Sequence, residues 1–285
     1  MSFLNKLSAL VKDPAPSLVF ELSEAGIAYS SNGQVGFEPF PEGTLRVSPL
    51  ENNLLRADVA SALVRKLAPD NGSRRRRPVA VILQDYAARV SVLDFDFFPS
   101  SAEEQAQLVR FRVKKTVPFD IDSAAVSYYP QPISGSKKVE VVTVTVALEI
   151  VARYEALFRN SNLHPGEVTT ATLAALNLYK ESGPAVIAKL AGNVLTVAVA
   201  SEGRLKLFRC LALPEASNEE ILAVLHPTFA YVEDELGEKT AKVLTCGFAQ
   251  LPQGLNVPME PLRSNLGTLG GYNAGLLGYL EGVQN

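Results

Sequence analysis

Apolar and polar positions form the same pattern twice along this chain, in residues 17–40 and again in residues 185–211. Each stretch predicts an apolar strand, a tight turn, an alternating strand, a glycine turn and a third strand. Two such three-stranded meanders, about half a chain apart, indicate a duplicated body that closes around a cleft. The pattern therefore predicts an α/β fold with two similar halves.

Between and after the meanders, the pattern predicts further helices and strands. Apolar residues at helical spacing predict a helix that ends before Pro69, and Asn218 to Leu236 reads as an amphipathic helix. Ser101 and Glu104 form a capping-box signature at the start of another helix. We expect four units: an N-terminal amphipathic segment at 1–16, the first half at 17–77, an inserted α+β subdomain at 78–165 and the second half at 166–285.

The sequence leaves the roles of two further segments open. The four arginines of residues 74–77 form either a solvated loop or a contact with anionic lipid headgroups. Residues 1–12 could form a terminal helix that docks on its own domain, or a segment that binds a membrane surface or a partner. Their apolar side chains share one helical face and are Phe3, Leu4, Leu7, Leu10 and Val11.

Composition limits the classes of function. The chain has 285 residues, 47% of them hydrophobic, and a net charge of −3, which suits a soluble globular protein and gives no general case for nucleic-acid binding. No run approaches the roughly 20 apolar residues that span a bilayer, and the N-terminus lacks a signal-peptide pattern. The two cysteines fit a reducing cytoplasm, and the two histidines offer little for zinc binding or imidazole catalysis, so we predict no metal site.

Two long strings carry a family resemblance. They are VAVILQDYAARVSVLDFDFFPSSAEEQAQLVRFRVKKTVPFDID and ALEIVARYEALFRNSNLHPGEVTTATLAALNLY. In order and spacing they resemble the PilM family of type IV pilus assembly proteins, within the actin-like ATPase superfamily that includes the division protein FtsA. The resemblance covers roughly residues 17–250. It implies an actin-like, ribonuclease H-like duplicated α/β fold with an inserted α+β subdomain.

The nucleotide-binding motifs of that superfamily are altered here. Its first phosphate turn reads Asp, an apolar residue, Gly and then small hydroxylated residues; its second reads Asp, apolar, Gly; its adenosine motif is commonly Ser-Gly-Gly-Gly. The corresponding residues in this chain are Glu21, Ser23 and Glu24 in the first turn, Lys189, Ala191 and Gly192 in the second, and Thr245, Cys246, Gly247 and Phe248 in the adenosine motif.

Each change weakens a nucleotide site. Ser23 and Ala191 place a Cβ where backbone amides would approach phosphates. Glu24 would repel the phosphates, Lys189 removes a carboxylate that would orient hydrated magnesium, and Phe248 would crowd the nucleoside. We therefore expect no ATP or magnesium cofactor and no enzymatic activity, with neither catalytic nor metal-binding residues.

The resemblance implies a cytoplasmic scaffold at the inner membrane. In that family the scaffold belongs to a pilus assembly (alignment) subcomplex and binds the N-terminal peptide of a PilN-like membrane protein, in a groove between the first half and the inserted unit. Phe119, Tyr128 and Tyr129 could line such a groove or belong to the core. Other pilus components are expected partners and nucleic acid is not. The alternatives are an active ATPase switch and a type II secretion component of the GspL kind.

Overall fold

Two five-stranded sheets of identical topology form the body of the protein. The computed structural model describes residues 16–31, 33–72, 75–133, 138–181 and 183–284. The first sheet has the strand order β3-β2-β1-β4-β8 and the second β11-β10-β9-β12-β13. The strands of the first sheet are β1 (Leu18–Leu22), β2 (Gly26–Ser31), β3 (Gln34–Pro39), β4 (Arg77–Leu83) and β8 (Leu163–Thr170). Those of the second are β9 (Ala185–Ala191), β10 (Val194–Ser201), β11 (Arg204–Ala212), β12 (Val243–Cys246) and β13 (Met259–Pro261).

The duplication extends to strand direction. In the first sheet β1 is antiparallel to β2 and parallel to β4, and in the second β9 is antiparallel to β10 and parallel to β12. We call each sheet with the helices on it a lobe. The predicted duplicated α/β body is thus confirmed. The helix predicted before Pro69 is α1 (Ala57–Leu67), which packs on the first lobe through Ala60 and Val64. The predicted helix α5 (Asn218–Leu236) packs on the second lobe, and a capping box joins Ser217 and Glu220.

A three-stranded antiparallel sheet is inserted after β4. It has the order β5-β7-β6, with β5 (Arg89–Phe95), β6 (Ala124–Pro132), β7 (Val139–Ala147) and the helix α2 (Ala102–Val113). The pairing differs from the predicted grouping of residues 78–165, because β4 and β8 pair with each other in the first sheet. The helix α3 (Leu148–Arg159) also belongs to the first lobe, where the rings of Phe158 and Phe20 lie 5.4 Å apart.

Side-chain contacts hold the inserted sheet against the second lobe. The side chain of Gln131 donates to the carbonyl of Leu205 and accepts from its amide, both at 2.8 Å, as a neighbouring strand would. Lys206 forms an ion pair with Glu140 at 2.6 Å between Nζ and Oε1. These contacts fix the position of the inserted sheet over β11.

The glycine-rich ending forms a buried helix, although repeated glycine predicts a weak one. This helix, α6 (Ala274–Gln284), packs along α4 (Ala171–Ala175) and the 3₁₀ turn that follows it. A Cβ on Gly278 would lie 2.4 Å from the carbonyl oxygen of Ala174, and one on Gly275 would lie 2.7 Å from the Cα of Ala171. The glycines therefore let two helix backbones approach closely, and this packing stabilises a helix that propensity alone disfavours.

Two predicted surface segments are only partly described. Residues 1–15, including the apolar side chains of the N-terminal segment, lie outside the described residues, as does Arg74. The last arginine of the run, Arg77, is not a free loop residue, because its Nη2 donates to the carbonyls of Ala68 and Pro69 at 3.0 and 2.7 Å. Within the described ranges, no helix combines the length and the apolarity needed to cross a membrane.

We predict that Gly278→Ala destabilises the protein. In an exposed helix this change stabilises by up to about 1 kcal/mol, but here the added Cβ would overlap Ala174 and force α6 away from α4. We expect a loss of about 1–3 kcal/mol in urea unfolding. Gly166→Ala is the matched control, because its Cβ would enter open space. Equal stability of the two variants would contradict the packing role.

Candidate functional site

Lys189 lies in the interior between the two lobes. It is on β9, opposite Thr196 on β10, and its side chain is only 2% exposed. Its Nζ lies 3.0 Å from Oδ2 of Asp85 and 3.4 Å from Oε1 of Gln84. Asp85 and Gln84 follow the end of β4, in the first lobe. A buried ion pair therefore joins the two lobes at the centre of the molecule.

The carboxylate of Asp85 is fully supplied with donors. Its Oδ1 accepts from the amide of Thr172 at 2.8 Å. Its Oδ2 accepts from the hydroxyls of Thr172 at 2.6 Å and Thr196 at 3.1 Å, in addition to Lys189. A buried carboxylate is tolerated only when a countercharge and further hydrogen bonds compensate its lost hydration. These residues from both lobes meet that requirement.

Glu21 on β1 is the third charged member of this site. Its Oε1 accepts from Nε2 of Gln84 at 3.1 Å, and its Oε2 accepts from the amide of Leu276, in the first turn of α6, at 2.7 Å. A helix N-terminus favours a carboxylate at this position. Burial nevertheless raises the pKa of Glu21 to about 7, against the lowering effects of Lys189, the Leu276 amide and Gln84.

Glu21 and Lys189 occupy corresponding strands of the two repeats, where the resemblance implies a carboxylate in each. Burial alone would lower the pKa of Lys189, but the carboxylates of Asp85 and Glu21 raise it above its ordinary value. The lysine thus stays charged and is the countercharge of Asp85. The charges of this site are therefore compensated by groups of the protein. Between two carboxylates, hydrated magnesium would supply that compensation.

Both phosphate turns are occupied by internal contacts. Ser23 is fully buried, and its hydroxyl donates to the carbonyl of Gly26 at 2.9 Å and accepts from its amide at 3.2 Å. In the second turn the carbonyl of Leu190 is covered, because a Cβ added to Gly247 or Gly271 would lie 2.1 or 2.3 Å from it. A Cβ on Gly271 would also lie 3.1 Å from the Cα of Ala191. Polar groups of both turns are thus in contact with other parts of the protein.

The degenerate adenosine motif borders open space. The residues of this motif, together with Leu262 and Arg263, line a pocket of about 520 Å³. Phe248 is half-buried against the core of the second lobe and forms part of the pocket wall. Gly247 has a positive φ of 78°, which glycine adopts readily, and its backbone lies close to the carbonyl oxygen of Leu190.

The three aromatic residues predicted for a partner groove do not lie together. Phe119 and Tyr128 pack on the α2 side of the inserted sheet, where the hydroxyl of Tyr128 lies 3.2 Å from Oε1 of Gln105. Tyr129 lies on the other face and packs in the core shared with the second lobe. Successive strand residues point to opposite faces, so Tyr128 and Tyr129 cannot line one surface.

Sequence reasoning missed Gln84, Asp85, Thr172 and Thr196. A signal for the first two was present, because QD follows the apolar run VAVIL, and polar residues after a buried parallel strand often form a site. Because this run was assigned to the inserted unit, Gln84 and Asp85 were not recognised as residues that follow a strand of the first sheet. The two threonines carried no local signal, since only the folded chain brings them to Asp85.

Solved structures of the same fold include one from a pilus biogenesis complex and one from a secretion system. A chain of a "PilM-PilN type IV pilus biogenesis complex" is similar at TM-score 0.67 and 16% identity, covering 96% of this chain and 100% of its own. The cytoplasmic domain of EpsL, an inner-membrane component of the type II secretion system of Vibrio cholerae, is similar at TM-score 0.55 and 13% identity, covering 94% of each chain. No family model and no curated protein matches the sequence. The expected actin-like fold with a PilM-like arrangement is thereby confirmed.

We predict that Lys189→Met destabilises the protein by about 3–5 kcal/mol, because Asp85 would remain buried without its countercharge. The double variant Asp85→Asn, Lys189→Met should recover much of this loss, which urea unfolding of the complete double-mutant cycle measures. Lys66→Met is the control: its partner Glu38 is at 3.1 Å, but the lysine side chain is 65% exposed, so we expect a change below about 1 kcal/mol. Additive effects of the two buried substitutions would contradict the pairing.

We also predict a pH dependence of stability that belongs to Glu21. Its pKa rises from 4.5 to about 7 on folding, so the protonated form stabilises the fold fully below about pH 4.5, and this contribution disappears as the pH rises through 7. Between pH 5 and 8 the wild type should lose about 2–3 kcal/mol relative to Glu21→Gln, measured by urea unfolding. The surface variant Glu51→Gln should follow the wild type. Parallel curves for wild type and Glu21→Gln would refute the assignment.

Proposed function

We propose that this protein is a cytoplasmic scaffold of a type IV pilus assembly subcomplex, peripheral to the inner membrane, which binds the N-terminal peptide of a PilN-like membrane protein. The observation that carries this proposal is the likeness to the PilM–PilN complex over the whole length of that chain. The likeness to cytoplasmic EpsL supports the same general role, a cytoplasmic body attached to an inner-membrane export system.

We propose further that the protein does not hydrolyse ATP. The Lys189–Asp85 pair at 3.0 Å joins the lobes where the phosphates and magnesium of an actin-like ATPase would lie. A nucleotide would have to break this pair and displace the Gly271 loop from Leu190. Breaking a buried pair costs several kcal/mol, which the altered turns offer no new contacts to offset.

A fixed body suits the binding of a peptide. The Gln131–Leu205 clamp and the Glu140–Lys206 pair hold the inserted sheet on the second lobe, so the surface between the inserted sheet and the first lobe keeps one shape. A preformed groove reduces the entropy cost of ordering a flexible peptide. We assign the peptide to the inner face of the inserted sheet. Tyr129, which is only partly buried there against the second lobe, is the aromatic contact that we propose.

We predict saturable binding of a PilN-type N-terminal peptide, measured by fluorescence anisotropy with the labelled peptide. Tyr129→Ala should weaken binding by about 30-fold, the effect of losing a central aromatic contact of roughly 2 kcal/mol. Tyr128→Ala is the matched control, because this side chain lies on the opposite face. Thermal unfolding must show that both variants are folded. No binding at hundreds of micromolar by folded wild type would refute the proposal.

The folded wild-type protein also serves to test the second candidate function, a nucleotide-dependent switch. The pocket beside the adenosine motif favours this candidate. A nucleotide that bound only the native state would raise the melting temperature. We expect millimolar magnesium-ATP to leave the melting temperature unchanged, which means that no nucleotide binds. A rise in melting temperature with release of phosphate would favour the ATPase. Binding of the EpsL-system partner peptide in place of the pilus peptide would assign the scaffold to type II secretion.

A further inference from the structure

The pocket of about 520 Å³ lies at the carboxyl ends of two parallel strands of the second sheet. Strand β12 ends at Cys246 and β13 ends at Pro261, and the residues that follow each strand form the walls of the pocket. Open α/β sheets commonly bind their ligands outside the carboxyl ends of parallel strands. The volume is also that of a small-molecule site. Position and size therefore both suit a small ligand.

One wall of the pocket is held in place from behind. This wall follows β13, and Glu281 on the buried helix α6 supports it: its Oε1 accepts from the hydroxyl of Ser264 and from the amide of Asn265, both at 2.7 Å. Further along, Oδ1 of Asn273 accepts from the amide of Gly270 at 2.7 Å. A wall that is already ordered reduces the entropy cost of binding a ligand.

Most side chains of the lining are apolar. Leu251 is 46% exposed although it borders the pocket, whereas Leu262 is buried beneath it. An apolar ligand would remove such surface from water, which favours binding. The apolar residues of the lining are Phe248, Leu251, Pro261, Leu262 and Leu269.

Arg263 gives the pocket its charge. Among the described residues that line it, there is no carboxylate. The Arg263 side chain is exposed and makes no ion pair or hydrogen bond within the described ranges. The hydroxyl of Thr245 and the thiol of Cys246 donate instead to the carbonyls of Glu260 and Gly270, at 3.1 and 3.2 Å. The guanidinium of Arg263 is therefore the charged donor that the lining offers to an anion.

We propose that this pocket binds a small organic monoanion, an apolar body that carries one carboxylate. The carboxylate pairs with Arg263, and the body contacts Phe248, Leu251 and Leu262. One cation among apolar walls matches one negative charge, whereas the polyphosphate of a nucleotide carries several. The inference is independent of the proposed function, because it concerns a different surface from the inner face of the inserted sheet.

Titration of the full chain with 1-naphthoate tests the proposal. The chain contains no tryptophan, so the fluorescence of the naphthalene ring reports binding without that background. We expect saturable binding at one site, weakened about tenfold by Arg263→Gln through loss of the charge-assisted hydrogen bond. Arg263→Lys, which keeps the charge, should bind better than Arg263→Gln. Arg46→Gln is the matched control, because Arg46 is exposed and lies outside the lining, and it should bind as the wild type does.

An uncharged probe separates the two parts of the proposed contact. The amide 1-naphthamide has the same rings and should bind wild type more weakly than 1-naphthoate does, with no further loss in Arg263→Gln. Leu251→Ser should weaken both probes, and thermal unfolding must show that every variant is folded. Equal affinity of wild type and Arg263→Gln for 1-naphthoate, or no saturation at millimolar concentration, would overturn the proposal. Displacement of 1-naphthoate by an equal concentration of adenosine would assign the pocket to a nucleoside and would also overturn it.

Discussion

The buried ion pair between Lys189 and Asp85 is the contact on which the rest of the arrangement depends. It joins the ends of β9 and β4, one from each lobe, at 3.0 Å and almost without exposure to solvent. Such a pair is stable only when every remaining donor and acceptor is used, which explains why Thr172, Thr196 and Gln84 converge on it. The cleft of a duplicated fold thereby becomes a polar core with a defined geometry.

The same site compensates its charges within the protein. The charge of Lys189 is matched by Asp85, and burial raises the pKa of Glu21 to about 7, which favours its uncharged form. Glu21 also accepts from the first turn of α6, which connects the charge network to the glycine-mediated packing of α6 on α4. The clamp at Gln131 then extends this fixed geometry to the inserted sheet. A body held together in this way is suited to presenting a constant surface to a partner.

Much of the fold could be predicted because its signals are local. Strand alternation and turn residues identify both meanders, and apolar spacing identifies α5 with its correct bounds. The capping box expected at Ser101 does not form, because the Ser101 side chain makes no capping hydrogen bond at the start of α2. The altered turn residues were also visible, since Ser23 and Lys189 can be compared with a motif by position alone. The assignment of β4 was wrong because an apolar run such as VAVIL suits any buried strand, and its partner β8 is distant in sequence.

The sequence by itself therefore determined the duplicated α/β architecture and the loss of the usual phosphate-turn residues. Only the tertiary structure decided what replaced them: that Lys189 pairs with Asp85, that Gly271 covers Leu190, and that Tyr128 and Tyr129 face opposite sides. It also decided that the glycine-rich ending is a helix. The physical reason is that charge pairing and backbone contact act between residues up to 255 positions apart, as for Glu21 and Leu276, and no local pattern records such distances.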